Sequence, residues 1–245
     1  MSVIASVALF HIHAATAADV HAHVTKYETV LGANRVIYNT ASNGAVLSVT
    51  NPQDFPMLIQ STVLGENFSP VDTYVVTPPV FRLDAKRTSK LSIVLAEEGD
   101  VIDRESLNWL CVKSIPPKND DVWAKDGDDA SVKKQADVNL QLSMNNCIKL
   151  IRRPEKLKGS PESGAESLSW QMSGKELKAT NSSPFYMNLA SLMLDNKPVN
   201  HNKYIAPYSS QSFSLSPGVN KGHTVSWQII NDFGGNSKTY TKGLH

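Results

Sequence analysis

The side chains best suited to chemistry in this sequence are two cysteines, and their spacing limits what they can do. Cys111 and Cys147 lie 36 positions apart, without the Cys-x-x-Cys spacing of redox and zinc motifs. They therefore form either one disulfide or two buried thiols. Export favours the disulfide, because oxidising compartments allow such bonds to persist.

Four histidines near the N-terminus form two His-x-His pairs, which could suggest metal binding: His11, His13, His21 and His23. Two of them fall in a predicted signal peptide, and no cysteine or carboxylate cluster accompanies them, so we expect no metal site. No nucleophile–base–acid set, phosphate-binding glycine loop or pair of catalytic carboxylates can be assembled with any specificity. The sequence therefore indicates neither an enzyme nor a cofactor.

The chain has 245 residues, with 24 basic and 23 acidic side chains and a net charge of +1. This balance argues against nucleic acid or an anionic membrane as the main partner. A short, mainly apolar run precedes Ala15-Thr-Ala17, so residues 1–18 are predicted to be a secretory signal peptide; a buried N-terminal helix is the alternative. No later stretch reaches ~18 consecutive apolar residues, so we expect no membrane insertion.

Short runs rich in β-branched residues, separated by turn-forming residues, predict strands along most of the chain. Strands at this spacing are typical of β-sandwiches. A polar segment, Pro154–Gly164, separates two sets of runs, and we predict an N-terminal domain over 19–153 and a C-terminal domain over 154–245. The predicted strands include Arg35–Tyr38, Ala45–Thr50, Met57–Val63, Leu91–Leu95, Leu168–Trp170, Leu177–Ala179, Phe185–Leu189, Ser212–Leu215 and Thr224–Ile230.

A charged segment and a strand with one apolar face follow each other between the two cysteines. Over Lys118–Asp137, 10 of 20 residues are charged, which excludes a packed strand and makes a long loop. The strongest alternation in the sequence comes next and predicts a long strand. Its apolar face either turns inward, as in an ordinary sandwich strand, or serves another purpose. The apolar residues of this alternation are Val138, Leu140, Leu142 and Met144.

Five segments, taken together and in order, resemble the PapD-like pilus chaperones. They are Thr77–Leu83, Arg104–Leu107, Ile115–Pro117, Ile148–Pro154 and Ile230–Gly234. The long charged loop and the cysteine pair are similar to the branch of that family with a long loop before its last N-terminal strand. The resemblance runs from about residue 34 to residue 240.

The resemblance implies an all-β protein of two immunoglobulin-like sandwiches, set at an angle with a cleft between them. It implies a periplasmic chaperone that binds, folds and caps secreted fibre subunits and delivers them to an outer-membrane usher. Val138, Leu140, Leu142 and Met144 would lie on a strand at a sheet edge. That strand would complete the subunit's open sandwich by strand addition, of which chaperone–pilin pairs are an established example.

The resemblance also implies roles for charged residues. Arg35 and Lys149 match positions that hold the subunit's terminal carboxylate in the cleft. Glu105, Arg153 and Asp232 match an interdomain ion network that sets the cleft width. Arg152 is the candidate for the network if the register is shifted by one.

Two further expectations complete the sequence-based hypothesis. A Cys111–Cys147 disulfide would tie down the base of the long loop, and Val20–Val24 would lie beside the donor strand and add apolar surface. The bare surface would cause weak self-association of the free protein. The rival hypothesis is an extracellular adhesion module of two immunoglobulin-like domains, with a self-buried final strand and binding residues on loops.

Overall fold

A computed structural model of the chain describes residues 22–96, 101–118, 121–124, 138–219 and 221–244, with only the backbone described for 22–26, 124 and 138–141. The predicted signal peptide, His11, His13, His21 and the His23 side chain lie outside this description. Most of the charged run lies outside it as well. Of that run, Val122–Ala124 forms one turn of 3-10 helix.

The N-terminal domain is a sandwich of two sheets. One sheet has the order β1-β10-β9-β5-β7, with β3 also paired to β10, and the other has the order β2-β4-β8-β6. Its strands are β1 Ala22–Tyr27, β2 Val30–Leu31, β3 Arg35–Asn39, β4 Ala45–Thr50, β5 Met57–Gly65, β6 Tyr74–Thr77, β7 Val80–Leu83, β8 Thr88–Leu95, β9 Ser106–Ile115 and β10 Val138–Arg153.

The C-terminal domain also has two sheets, with orders β11-β12-β16 and β14-β13-β17-β18, and β15 also pairs with β13. The expected all-β fold of two sandwiches is therefore confirmed. Its elements are α1 Pro161–Ala165, β11 Ser169–Ser173, β12 Glu176–Asn181, β13 Met187–Leu194, β14 Lys197–Pro198, β15 Tyr204–Ile205, β16 Ser209–Ser214, β17 Thr224–Ile229 and β18 Tyr240–Gly243.

Alternating side chains build the core of each sandwich. In β4, Leu47 and Val49 are buried while their neighbours are not, as expected for a strand with one face toward the core. Trp227 is the largest fully buried side chain of the C-terminal core, and its indole N–H donates to the Ala165 carbonyl at 3.2 Å. That hydrogen bond satisfies a polar group that burial would otherwise leave unpaired.

A third apolar cluster lies between the two domains. Leu107 and Ile151 contribute from β9 and β10, and Tyr186 contributes from the C-terminal domain. Ile37, Trp109, Tyr204 and Ala206 pack around them half-buried. The two sandwiches are therefore joined by packed side chains as well as by the chain itself, which positions the cleft between them.

The disulfide between Cys111 and Cys147 is confirmed, and it joins adjacent strands. The two residues face each other in the antiparallel β9–β10 ladder, with Cα atoms 3.9 Å apart. Every cysteine of the chain is accounted for by this bond. It closes a loop of 36 residues that contains the charged run.

Removing this bond should destabilise the protein without changing its fold. Replacing both Cys111 and Cys147 by alanine should lower the free energy of unfolding by roughly 3–4 kcal/mol, because the unfolded chain regains the freedom of a long loop. Urea denaturation of wild type with and without reductant measures this, and the double variant serves as a control that reductant should leave unchanged. Equal stability of oxidised and reduced wild type would contradict the prediction.

Candidate functional site

Strand β10 is longer than its neighbour β9, so its first residues extend beyond the antiparallel ladder. Pairing between the two strands begins at Met144 opposite Ser114. One residue further, β9 ends at Ile115 and is followed by Pro116 and Pro117. Proline has no N–H to donate, so the ladder cannot continue. Within the described residues, no strand pairs with 138–143 on this side.

The opposite side of the same segment is covered, which corrects the expectation of a simple edge strand. Strand β1 pairs with it in parallel, from Ala22 opposite Val138 to Tyr27 opposite Ser143. The N-terminal segment therefore lies beside the first half of β10, as the family resemblance implied for residues 20–24, of which the structure describes 22–24. Among the described residues, the sheet at this segment therefore ends with β1 on one side and with β10 itself on the other.

The side chains of the alternating segment are described in its second half. Leu142 is 41% exposed, and Met144 is half-buried. Val138 and Leu140 lie on the described backbone of β10, and their side chains are outside the description. The exposed Leu142 side chain is therefore not part of the N-terminal core.

Lys149 and Arg35 lie side by side, because β10 and β3 pair in parallel with these two residues opposite each other. Lys149 is five residues beyond Met144 on the same strand. Among the described residues, neither cation forms an ion pair. Two neighbouring cations with no carboxylate partner form a site that suits an anion.

The Lys149 ammonium is half-buried between the domains. It donates a hydrogen bond to Oδ1 of Asn188, on β13, and lies 5.2 Å from the ring centre of Tyr204 and 5.8 Å from that of Trp109. Burial, and then the charge of Arg35, lower the pKa of Lys149 to about 8. A carboxylate bound here would reverse both effects by neutralising the charge.

Arg35 is more buried than a residue facing a wet cleft would be, with 7% of its surface exposed. Its guanidinium donates to the Asn34 side chain at 3.2 Å and to the Ile230 carbonyl at 3.4 Å. Burial lowers the pKa of Arg35, and the charges of Asp232 and Glu105 oppose that effect. Arg35 is therefore less open to the cleft than Lys149, because the turn after β17 packs over it.

The structure brings Glu105, Arg153 and Asp232 together across the domain boundary. Arg153 donates to Glu105 at 2.8 Å and makes two parallel hydrogen bonds to Asp232, at 2.6 and 2.8 Å. Burial alone lowers the pKa of Arg153, but its bonds to Asp232 and the charge of Glu105 raise that pKa above the ordinary value. Glu105 also accepts the Tyr186 backbone N–H at 2.7 Å.

Arg152, the alternative for this network, lies elsewhere. It is buried, and its guanidinium donates to the Val101 carbonyl at 3.2 Å. Successive side chains of a strand point to opposite faces, so Arg152 and Arg153 cannot reach the same partners.

Sequence reasoning missed a second polar contact between the domains. Glu66, just after β5, accepts the hydroxyl of Tyr204 at 2.7 Å and that of Tyr186 at 3.3 Å. The Trp109 indole N–H donates to the Glu66 carbonyl at 3.1 Å, and the ring of Phe68 stacks on Trp109. Glu66 thus holds two of the aromatic rings near Lys149, and one glutamate in a turn carries no sequence signal for that role.

Over the part of the chain that the structure describes, no group of three or more histidine, cysteine or acidic side chains lies close enough to hold a metal ion. Among the helices described, none has the length and apolar character needed to cross a bilayer.

Comparison with known proteins gives consistent matches over both domains. Residues 28–158 match the family described as pili and flagellar-assembly chaperone, PapD N-terminal domain, and residues 163–241 match the PapD C-terminal domain. Among curated relatives, Chaperone protein AggD of Escherichia coli is 42% identical over 95% of this chain and 92% of its own length. Chaperone protein caf1M of Yersinia pestis is 45% identical over 89% of this chain and 86% of its own.

Solved structures agree with these matches. The E. coli chaperone DraB has a TM-score of 0.79 and 41% identity, over 92% of this chain and all of its own. The SafB chaperone, solved in complex with the SafA pilin of Salmonella enterica, also has a TM-score of 0.79, with 39% identity over 89% of this chain and 97% of its own. From matches over both domains at this level of identity, the chain belongs to the PapD family of pilus-assembly chaperones.

Proposed function

We propose that this chaperone acts in the periplasm, where it binds a secreted fibre subunit through the first half of β10 and the cations of the cleft. The subunit's open sandwich takes Val138, Leu140, Leu142 and Met144 as its missing strand. Four such side chains contribute roughly 6–12 kcal/mol before ordering costs. The chaperone then passes the capped subunit to an outer-membrane usher.

One observation carries this proposal: a strand segment with one open side runs directly into a pair of cations that have no carboxylate partner among the described residues. A subunit that binds along 138–143 can place its chain end at Arg35 and Lys149, and Lys149 lies five residues beyond Met144 on β10. Fixing the chain end fixes the register, and a slip of one residue would turn every apolar side chain to the wrong face. The anchor and the donor strand therefore depend on each other.

The adhesion-module hypothesis is not favoured. It requires a self-buried final strand, whereas Leu142 is 41% exposed. The curated relatives and solved neighbours reported above are chaperones, and one of them was solved with a pilin. The interdomain contacts of Arg153 and Glu66 support the proposal further, because a fixed cleft width is needed to hold a strand end in register.

Removing the anchor should abolish subunit capture. Lys149→Ala should leave stability nearly unchanged, whereas Arg35→Ala should cost about 1–2 kcal/mol because Arg35 is buried and hydrogen-bonded. The measurement is the amount of fibre subunit that co-purifies from periplasm with each variant. Lys90→Ala, an exposed lysine on β8, is the matched control. Recovery of wild-type amounts of subunit with both anchor variants would exclude the carboxylate anchor.

Binding of a subunit peptide should weaken as pH rises above 8. The free Lys149 has a pKa of about 8, and a bound carboxylate raises it, so the peptide binds the protonated lysine. Affinity should fall by about tenfold per pH unit between the free and bound pKa values. Calorimetry from pH 7 to 10 with a free-acid peptide measures this, and the same peptide with an amidated C-terminus is the control. Parallel pH profiles for the two peptides would contradict the prediction.

Replacing both Leu140 and Leu142 by serine should weaken subunit binding by several kcal/mol, since two apolar side chains lose their place in the subunit core. The chaperone itself should lose less than about 1 kcal/mol of stability, because the exposed Leu142 is not part of its core. Subunit affinity and urea denaturation are measured on the same preparation. Val94→Ser, at a valine of β8 that is 42% exposed, is the matched control. A collapse of stability in the double variant would identify β10 as an ordinary core strand.

Free chaperone should self-associate weakly, with a dissociation constant in the micromolar range or above, by pairing the open edges of β1 and β10 between copies. The subunit must displace this contact, so added subunit peptide should dissolve the oligomer. Light scattering over a concentration series tests both statements. A strict monomer at roughly 100 μM, or an oligomer that peptide leaves intact, would contradict them.

A further inference from the structure

A cavity of about 540 Å³ lies beside the proposed anchor, on the side of the C-terminal domain. Lys149 forms one wall of it. The other walls come from β13, from the segment between β14 and β15, and from Ile230 at the end of β17. Its size lies within the range of cavities that hold a small ligand or a large side chain.

The buried lining of this cavity is mainly apolar, and its one buried polar side chain among the described lining residues, Asn188, already accepts a hydrogen bond from Lys149. Leu189 and Val199 are 6% and 7% exposed and belong to the C-terminal core, and Ile230 and the ring of Tyr204 complete the surface. An apolar group that entered here would leave water for a surface that is already packed from behind.

The mouth of the cavity carries hydrogen-bond donors and positive charge. The exposed lining residues are Asn200, Asn202 and Lys203, and Lys149 lines the same cavity. Among the described residues that line the cavity, none is aspartate or glutamate. A side chain with an apolar body and an acceptor at its tip suits these walls, whereas a cationic side chain would meet two lysines without a counter-charge.

Contacts outside the cavity hold its walls in place. The ring nitrogens of His201 lie 2.9 Å from the Val199 carbonyl and 3.1 Å from the Ala190 carbonyl, which fixes the 199–203 segment against β13. The Tyr204 hydroxyl is held by Glu66. A cavity with walls fixed in this way is formed before a ligand arrives and can discriminate by shape.

We infer that this cavity is a subsite for the side chain of the subunit's last residue, and that it selects an apolar body with a hydrogen-bond acceptor, such as tyrosine or glutamate. The inference rests on the proposed function, since the carboxylate that Lys149 and Arg35 hold belongs to that same residue. The cavity therefore discriminates between side chains of the subunit's last residue, whereas the two cations bind the terminal carboxylate whatever that side chain is.

A peptide series separates the contribution of the last side chain to binding from that of the terminal carboxylate. The probes share a seven-residue alternating valine–threonine segment preceded by two lysines for solubility, end in tyrosine, glutamate, glycine or lysine, and are made as free acids and amides. Calorimetry with the full-length chaperone should show tyrosine and glutamate binding about tenfold more tightly than glycine, and lysine more weakly than glycine. Amidation should weaken all four.

Filling the cavity should remove the preference for particular last side chains while leaving the binding of the terminal carboxylate intact. Asn202→Trp should bring all four free acids to within about threefold of one another while leaving the preference for acid over amide. Lys178→Trp, at an exposed position of β12, should behave as wild type.

The results that would exclude the subsite differ from those that would exclude the carboxylate anchor. If free acids bind better than amides but the last side chain has no effect in wild type, the subsite is excluded and the anchor stands. If amidation has no effect either, the anchor and the subsite are both excluded. A preference for lysine over tyrosine would also exclude the subsite, because the charges at its mouth forbid it.

Discussion

The unequal lengths of β9 and β10 are the constraint on which the rest of the structure depends. Ten residues of β9 face sixteen of β10, and the two prolines after Ile115 prevent further pairing. Within the described residues, no strand therefore pairs with 138–143 of β10 on this side. Most proteins avoid unpaired strand edges of this kind because they promote aggregation. Strand β1 covers the other side, and the disulfide between Cys111 and Cys147 holds the paired half together. In the proposed function, this half of β10 is the part that a subunit covers.

The charged groups of the cleft divide into two kinds with different tasks. Arg153 is saturated by Glu105 and Asp232 and holds the domains together, as Glu66 does through two tyrosines. Arg35 and Lys149 have lowered pKa values, and neither forms an ion pair with any residue that the structure describes. A buried ion pair contributes little net stability after desolvation, so the main effect of Arg153 is to fix the geometry of the cleft. It keeps Arg35 and Lys149 at a fixed distance from the first half of β10.

The sequence predicted most of the fold, because apolar alternation determines strands wherever one face is buried. Nine predicted runs correspond to β3, β4, β5, β8, β11, β12, β13, β16 and β17. The two-residue strands β2, β14 and β15 have no period to detect, whereas the position of β1 beside β10 was expected from the family resemblance. For the site, the family resemblance supplied the candidate cations, but the burial of Arg35 depends on a turn nearly two hundred residues away. Glu66 and the cavity arise from tertiary packing alone.

Hydrogen exchange of backbone amides tests the central claim most directly. The account predicts that, when a fibre subunit or its free-acid peptide binds, the amides of 138–143 that point away from β1 become strongly protected. The amides that already donate to β1 should change little, and so should those of the β9–β10 ladder beyond Met144. Protection confined to loops, with residues 138–143 exchanging as fast as in the free protein, would contradict donation of this strand.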